Sequence, residues 1–426
     1  MVEWRTRYVL KSYLRSSMWL TPLAAYVLSL ALIRILGWLD EQLQWQWAWH
    51  IDVAAVQNLL QMLVASMLSF IVFTFSSLLV AVQIASAQLT PRIIATALLR
   101  DNTIRMIAAL FVLSFVFDLG LLARIQTTVL YVPLTVSIAL TLASIGAFLY
   151  LMDYAARLLR PISIVRNLGE AGLKVVEEVY PVKMARHHAP TPAPPALGTP
   201  ALEIFHRRKS AIILAINFET LRLEAERTNG VVECVNRVGD FVPTGETLFR
   251  LYGGAVSAND AKLRAAIAMG PERTIEQDAT FAFRVIVDIA IKALSTAIND
   301  PTTAVLAIDQ LHRLLRSVGR RHLHDDVIRD TAGNLRVVYK TPDWDDFVQL
   351  SCREIRLYGA PNFQVARRLR AMLENLEQAL PEVRWPALRK ELYLLDQTLA
   401  RLNSLPDDLA LARTPDLQGL GASLRR

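Results

Sequence analysis

Four long apolar segments in the first third of the chain limit what it can fold into. They run approximately over residues 18–38, 56–84, 104–123 and 129–152. Each is close to the ~20 residues that a helix needs to cross the hydrocarbon core of a bilayer. Because a backbone in lipid must satisfy its own hydrogen bonds, such segments favour helices. We therefore predict a four-helix transmembrane domain over residues 1–152, in contact with membrane lipid.

Charge separates this domain from the rest of the chain. Residues 1–152 hold only nine of the 46 Lys and Arg residues and six of the 39 Asp and Glu residues. The mean hydropathy of +0.31 is high for a soluble protein, which indicates that part of the apolar surface faces lipid. The first segment lacks a cleavage site of small residues and precedes three more, so it is interpreted as a retained helix and not as a signal peptide.

The loops between the segments predict the orientation. Basic residues precede the first segment, separate the second from the third and follow the fourth, whereas residues 37–55 contain no Lys or Arg and carry the run WQWAWH. Short cytoplasmic loops retain Lys and Arg, and Trp favours the membrane interface. We expect a multi-pass protein of the bacterial inner membrane with both termini in the cytoplasm. The only two cysteines, Cys234 and Cys352, suit a reducing compartment.

The second apolar segment carries a weakly polar stripe. At about 100° per residue, seven side chains fall on one side of the predicted helix. This polar stripe consists of Asn58, Ser66, Ser69, Phe73, Ser76, Val80 and Gln83. In one interpretation its small residues let neighbouring helices of one protomer pack closely. In the other, it lines the pore of a homo-oligomer, with Phe73 and Val80 as hydrophobic constrictions.

Two charged residues lie inside apolar segments. Arg34 is near the outer end of the first segment and Asp118 near the outer end of the third, so the two fall at similar depth. Ionisable groups within a membrane are costly and often functional. We favour a structural ion pair between Arg34 and Asp118 over a functional role.

The remaining two thirds predict an α+β cytoplasmic domain. Residues 153–182 form an amphipathic exit helix and residues 183–200 a Pro-rich linker. Residues 201–345 form the α+β domain, in which the alternation and glycines of NGVVECVNRVGDFVPTGETLFRLYGG predict a small hammerhead-like β-element. A helical hairpin follows over residues 346–405, and residues 406–426 are predicted to be disordered.

A ladder of charges marks the helix predicted from residue 280 to residue 297. Arg284, Asp288 and Lys292 stand four residues apart on one face, which predicts partly buried charge pairs. The ladder is a weak candidate for general acid–base catalysis, since it has one carboxylate and no nucleophile.

No enzyme, cofactor or metal is predicted. The chain lacks a phosphate-binding glycine loop, a metal-spaced cluster and a nucleophile elbow. His322 and His324 in RHLHDD fit a polar turn better than a metal site. The basic residues form no single stripe with interleaved aromatics, so nucleic acid is not predicted as a partner.

The stretch LSTAINDPTTAV predicts a sharp corner between two helices. Asp300 followed by Pro301 is typical of a helix start, with Asp as the N-cap and Pro in the first turn. Asn299, before the corner, and the N–H and hydroxyl groups of Thr302 and Thr303, after it, form a polar cluster. Such a helix start can also hold a small anion, so a cap and an anion site both remain open here.

Five blocks occur in order: TFSSLLVAVQIASAQLTPRII, GDFVPTGE, RTIEQD, ALSTAINDPTTAVLAIDQL and REIRLYGAPNFQVARRL. Together they resemble a widespread bacterial family of predicted membrane proteins of unknown function, and the similarity covers nearly the whole chain. In that family the fourth block usually reads Leu-Ser-Pro before Asn-Asp-Pro, whereas Thr296 replaces the first proline here. The resemblance implies the membrane topology but no activity and no catalytic residue.

These observations predict a homo-oligomeric channel or permeation pathway. The second transmembrane helix would line it and the cytoplasmic domain would gate it. The alternative is a membrane-anchored cytoplasmic ligand sensor or scaffold without a pore, with a small anion at the Asn-Asp-Pro corner as its candidate ligand.

Overall fold

The structure is a computed structural model that describes residues 4–17, 19–43, 52–88, 102–126, 128–158, 160–184, 196–323 and 325–421. The WQWAWH run, most of the predicted Pro-rich linker, His324 and the last five residues lie outside these ranges. The chain divides into two compact units, which are a helical unit within residues 13–163 and a C-terminal unit from residue 164 onwards.

The prediction of four membrane helices is confirmed. A short helix α1 (Trp4–Ser16) precedes α2 (Leu20–Leu43), α3 (Val53–Gln88), α4 (Asn102–Arg124) and α5 (Tyr131–Leu158). Helices α2 to α5 are each long and apolar enough to cross a membrane. Helix α3 has 36 residues and is therefore about 54 Å long at 1.5 Å per residue. It exceeds the ~30 Å hydrocarbon core.

Helix α4 lies at the centre of the helical unit and α3 is the most exposed of the four. Within the 18-residue apolar window of each helix, 44% of the window is buried in α4 but only 11% in α3. Leu60 of α3 packs with Phe117 of α4 and Leu134 of α5 in one apolar cluster. Further along, Phe70 of α3 stacks on Phe148 of α5 with 4.6 Å between ring centroids. One side of α3 therefore holds it to the unit.

The C-terminal unit mixes helices and strands, as predicted. Its first helix, α6 (Pro161–Val179), begins at a proline, so the predicted exit helix is divided and residues 153–158 belong to α5. The strands are β1 (Leu202–Phe205), β2 (Ala211–Ile216), β3 (Gly230–Cys234), β4 (Phe241–Val242), β5 (Thr247–Gly253), β6 (Ile267–Gly270), β7 (Val327–Arg329) and β8 (Leu335–Val338). The remaining helices are α7 (Phe218–Arg227), α8 (Asp260–Ala265), α9 (Ala279–Ala293), α10 (Pro301–Gly319), α11 (Trp344–Gly359), α12 (Phe363–Ala379), α13 (Trp385–Leu402) and α14 (Pro406–Ala412).

The strands form two sheets. The larger has the order β1-β5-β3-β8-β7 and the smaller β4-β2-β6. Strand β3 pairs antiparallel with β5 and parallel with β8. On β3, Val232 and Cys234 are buried while Val231 and Glu233 are more exposed, which is the alternation of a half-buried strand. The predicted hammerhead-like element is not self-contained, because it gives β3 and β5 to one sheet and β4 to the other.

Helix α9 is the central helix of the C-terminal unit. Apolar residues surround it on nearly all sides, as is typical of a buried helix. Helix α10 follows it, and α11 packs against both α9 and α13. Phe283 of α9 meets Phe347 of α11 at 5.1 Å between ring centroids. Residues 346–405, predicted as a helical hairpin, form three helices, which are α11, α12 and α13.

The segment after α13 is folded as far as the structure describes it. We call residues 406–421 the C-terminal segment. Its Asp416 carboxylate accepts the N–H groups of Gly419 at 2.8 Å and Gly421 at 2.6 Å. The buried guanidinium of Arg367 donates to the carbonyl oxygens of Thr414 at 2.9 Å and Gly421 at 2.7 Å. The prediction of disorder is wrong for this segment.

Candidate functional site

The polar stripe of α3 lies on the side that faces away from the helical unit. All seven predicted residues, from Asn58 to Gln83, are exposed. The buried residues of α3 are Val56, Leu60, Met67 and Thr74. At about 100° per residue this buried face is roughly 140° from the stripe. Close packing within one protomer therefore does not explain the stripe.

Two serines of the stripe satisfy their hydroxyls locally. Ser66 donates to the carbonyl oxygen of Met62 at 2.8 Å and Ser69 to that of Ala65 at 2.9 Å. Such bonds, made one turn back in the same helix, lower the cost of exposing serine to lipid. Phe73 is 51% exposed, and its ring meets Phe148 edge-on with 5.5 Å between centroids. The serines alone therefore do not require a partner helix.

Asp118 and Arg34 do not form the predicted ion pair. The side chain of Asp118 is fully buried, and its Oδ1 accepts the hydroxyl of Ser137 at 2.6 Å. Arg34 is exposed. The sequence suggested similar depth but gave no information on rotation about each helix axis, and that rotation separates the two side chains. Asp118 belongs instead to a polar contact between α4 and α5, which also includes Ser114 and Ser144 with 2.8 Å between their hydroxyl oxygens.

The Asn-Asp-Pro corner has the geometry of a helix cap. Asp300 precedes α10 and accepts the N–H of Thr303 at 3.1 Å through Oδ1. Its Oδ2 accepts the Thr303 hydroxyl at 2.5 Å. Pro301 occupies the first turn, where its missing N–H costs no hydrogen bond. Asn299 has a φ of +48°, a conformation that Asn tolerates better than most residues.

This arrangement leaves the corner poorly suited to an anion. Both donors of Thr303 are used by Asp300, whose carboxylate carries the same charge as the predicted ligand. Asn299 and Thr302 are exposed. Helix α9 ends at Ala293, four residues earlier than predicted, and Asn299 donates its N–H to the carbonyl oxygen of Ser295 at 2.8 Å. The polar residues of the stretch thus serve largely to turn the chain.

The charge ladder on α9 is completed by a residue of another helix. Arg284 donates through Nε to Asp288 at 2.7 Å, as the spacing predicted. Its two terminal nitrogens also bind Glu354 of α11 at 2.6 Å and 3.0 Å. The guanidinium lowers the pKa of the Glu354 carboxyl below its usual range, because it stabilises the charged form. Lys292 continues the same face and is half-buried.

Further contacts join the blocks on which the family resemblance rests. Arg368 of the last block donates to Asp309 of the Asn-Asp-Pro block at 2.6 Å. Gly239 of GDFVPTGE lies against Arg273 and Asp278 of RTIEQD, since a Cβ there would stand 2.1 Å from the Arg273 Nη2. Asp278 is buried, which raises its pKa, and it caps α9 by accepting the N–H of Phe281 at 3.0 Å.

A cavity of ≈ 330 Å³ opens beside these blocks in the C-terminal unit. Its apolar wall includes Tyr180, Phe218 and Tyr339, and its rim carries Glu276 and Lys340. Burial raises the pKa of both tyrosines, so their hydroxyls stay protonated. The volume and the mixed lining are typical of a small-molecule site. Sequence reasoning missed this cavity because its residues come from five separate parts of the chain.

No metal cluster appears within the described ranges, where no three His, Cys, Asp or Glu side chains come together. His322 lies 3.4 Å from Asp325, measured between Nε2 and Oδ1, as in a polar turn. Cys234 and Cys352 are both buried and free. Burial raises the pKa of the Cys234 thiol to about 12 and that of Cys352 well above its usual value. Neither thiol is therefore reactive at neutral pH.

Comparison with known proteins identifies relatives but no activity. The family model described as "Predicted membrane protein (DUF2254)" matches residues 15–375. Uncharacterised proteins of Mycobacterium bovis and Mycobacterium tuberculosis are 27% identical over 393 residues, which cover 87% of this chain and 74% of theirs. No solved structure is significantly similar to the chain.

Proposed function

The chain belongs to this family of predicted membrane proteins, and on that premise we propose that it forms a homo-oligomeric permeation pathway lined by α3. The observation that carries the proposal is the orientation of the polar stripe. Its seven residues are all exposed, although the ring of Phe73 also meets Phe148 of α5. Copies of the chain arranged about a symmetry axis would bring one equivalent side chain from each protomer together at each level of a pore.

The order of residues along the stripe suits a pore. Asn58 and Gln83 lie towards the two ends of the apolar part of α3, which runs over Val53–Ile84. Between them, Phe73 and Val80 are about half exposed, at 51% and 52%. Polar mouths with apolar constrictions between them are features of pores that gate by dewetting. The C-terminal unit, which the charge of the loops predicts to be cytoplasmic, would act as vestibule or gate.

Paired substitutions on opposite sides of α3 test the pathway. Phe73→Ser changes the stripe, whereas Phe75→Ser changes a residue of the same type and similar exposure, 48%, about 200° away on the helix. The purified chain is reconstituted in planar bilayers and its conductance is recorded. We expect Phe73→Ser to raise conductance or open probability severalfold and Phe75→Ser to leave both unchanged. Equal effects, or no conductance for the unmodified chain, contradict the proposal.

Crosslinking tests the oligomer independently of conductance. Since both native cysteines are buried, a single introduced thiol is the only accessible one among the described residues. We expect Ser69→Cys to form dimers with a bis-maleimide in membranes, while Leu68→Cys, exposed but off the stripe, does not. Dimers from Leu68→Cys alone would place the subunit interface on another face of α3.

The second candidate function is a membrane-anchored ligand sensor, which the ≈ 330 Å³ cavity of the C-terminal unit favours. A ligand that binds only the folded protein raises its melting temperature. Thermal shift screening of the full chain against metabolites should then yield a stabilising compound. Val238→Phe, which narrows the cavity from its lining, should abolish the response. A compound that stabilises both proteins equally binds elsewhere.

A further inference from the structure

A second cavity in the C-terminal unit is lined almost entirely by cations. Its volume is ≈ 450 Å³. Of the seven described residues that line it, five are basic, and we call this cavity the basic pocket. The lining consists of Lys183, Arg313, Arg316, Arg320 and Arg321, together with Leu173 and Ser317.

Helical spacing and two backbone hydrogen bonds assemble the basic pocket. Arg313, Arg316 and Arg320 stand three and four residues apart at the end of α10, so they share one face. Lys183 lies in the strand-like segment after α6, and its backbone pairs with that of Arg321 in an isolated antiparallel β-bridge. The N–H of Met184 donates to the carbonyl oxygen of Arg320 at 2.9 Å. The backbone at Lys183 is thereby fixed beside α10.

Only two of the five cations have acidic partners. Arg313 binds Glu170 at 2.8 Å and Arg321 binds Glu177 at 3.1 Å. Arg320 donates weakly to the carbonyl oxygen of Ala379 at 3.4 Å. For Lys183, Arg316 and Arg320, no carboxylate lies within 4.0 Å among the residues that the structure describes. About three positive charges of the pocket are therefore uncompensated.

A structural role explains only part of this cluster. Cations near the last turn of a helix interact favourably with its dipole, and this accounts for Arg316 and Arg320. It does not account for Lys183, which lies outside the helix, or for the concentration of like charges in one concavity. Like charges that share one concavity repel one another, and an anion that enters it offsets the repulsion.

We infer that the basic pocket binds an anion that carries two phosphate groups. A phosphodiester carries one negative charge and a terminal phosphate group about −1.5 to −2 near neutral pH. An anion with two phosphate groups therefore comes closer to balancing about three cations than an anion with one. Arg guanidinium groups bind phosphate oxygens in pairs and suit this ligand. Among the residues that the structure describes, none of those that line the pocket is aromatic, so the phosphates and not a base supply recognition. The ligand is either a soluble diphosphate or the headgroup of a diphosphate lipid such as cardiolipin.

The test uses the full chain in nanodiscs of neutral phosphatidylcholine, with inorganic pyrophosphate as the soluble probe. Binding is measured by calorimetry and by the shift in melting temperature, at several salt concentrations. The variant Lys183→Gln/Arg316→Gln removes two uncompensated charges. Since each ion pair contributes on the order of 1 kcal/mol or more, we expect at least about tenfold weaker binding. Without ligand, the lost interaction between Arg316 and the dipole of α10 opposes the relief of repulsion, so the variant should melt close to the unmodified chain.

A matched control separates a site from general charge. Lys390→Gln/Arg401→Gln removes the same two charges from exposed positions of α13 outside the pocket, and should leave binding unchanged. In a second arm, cardiolipin replaces part of the phosphatidylcholine. Stabilisation by cardiolipin but not by pyrophosphate, lost in the pocket variant only, identifies the lipid as the source of the phosphates. Binding of neither probe, or equal loss in both variants, overturns the inference. The outcome is independent of conductance and so of the proposed pore.

Discussion

Replacing Asp300 with Ala removes two hydrogen bonds at the start of α10. The first is the cap that accepts the Thr303 N–H at 3.1 Å, and the second accepts the Thr303 hydroxyl at 2.5 Å. Thr303 is only 5% exposed, so water has little access to its hydroxyl once the carboxylate is gone. The substitution therefore costs more than a cap alone.

The expected magnitude follows from these two terms. Loss of an Asp N-cap costs about 1 kcal/mol. A buried hydroxyl left without an acceptor adds roughly 1–2 kcal/mol. The total, about 2–3 kcal/mol, corresponds to opening of α10 that is about 30- to 150-fold more frequent, since 1.36 kcal/mol is a factor of ten.

Hydrogen–deuterium exchange of the α10 peptides measures this opening directly in the detergent-solubilised full chain. A double-mutant cycle with Thr303→Val separates the two terms, because valine has the shape of threonine without the hydroxyl. In the Thr303→Val background, Asp300→Ala should lower the free energy of opening α10 only by the contribution of the N-cap, about 1 kcal/mol. Asp300→Asn keeps one acceptor oxygen and replaces the other with an NH2 donor, so it should fall between the unmodified chain and Asp300→Ala.

Two results refute the reasoning. If Asp300→Ala accelerates exchange equally in both backgrounds, the bond to the Thr303 hydroxyl contributes nothing. If it leaves exchange unchanged while abolishing conductance or ligand response, the corner is a functional element and capping is not its role.

Three further predictions concern the C-terminal unit. Because Arg284 lowers the pKa of Glu354 below the usual 4.5, the stability from this pair is present above the unfolded-state pKa and is lost as pH falls through the folded-state value. The difference in melting temperature between the unmodified chain and Glu354→Gln should therefore shrink between about pH 7 and about pH 3. Gly239→Ala and Gly245→Ala both place alanine at a positive φ, but only the first meets a neighbouring atom within 4 Å. Gly239→Ala should therefore lower the free energy of unfolding, measured in urea, by about 1–3 kcal/mol more than Gly245→Ala does. Deleting the C-terminal segment deprives the guanidinium of Arg367 of its two carbonyl acceptors and should lower the melting temperature by about 2–8 °C, whereas a disordered tail predicts no change.

The membrane helices and the cap at Asp300 could be predicted because local sequence determines both. A bilayer requires about 20 apolar residues whatever their neighbours are, and the Asp-Pro pair acts on the turn that immediately follows it. The direction of the polar stripe was also predicted as one face of a helix. Whether that face was covered depended on the positions of three other helices, which periodicity alone does not specify.

Contacts between distant residues could not be predicted in the same way. The Arg284–Glu354 pair joins residues 70 positions apart, whereas helical spacing predicts only the local partner Asp288. Asp118 was assigned to Arg34 on depth alone, while its hydrogen bond to Ser137 depends on how α4 and α5 are rotated. The order of the C-terminal segment likewise depends on Arg367, which needs its carbonyl groups because an unpaired buried charge is costly.

The two ends of helix α10 explain why the structure favours a different position for an anion from the one that the sequence predicts. The dipole of a helix is equivalent to only about half a positive charge at its start, and at α10 the full negative charge of Asp300 outweighs it. At the other end the dipole contributes about half a negative charge, but the basic pocket carries about three uncompensated positive charges. The full charges of side chains therefore determine at both ends of α10 whether an anion is favoured. They reverse the preference for an anion at the start of the helix that the dipole alone predicts. An anion on this helix is expected at the pocket beside Arg316 and Arg320 and not at the corner beside Thr302.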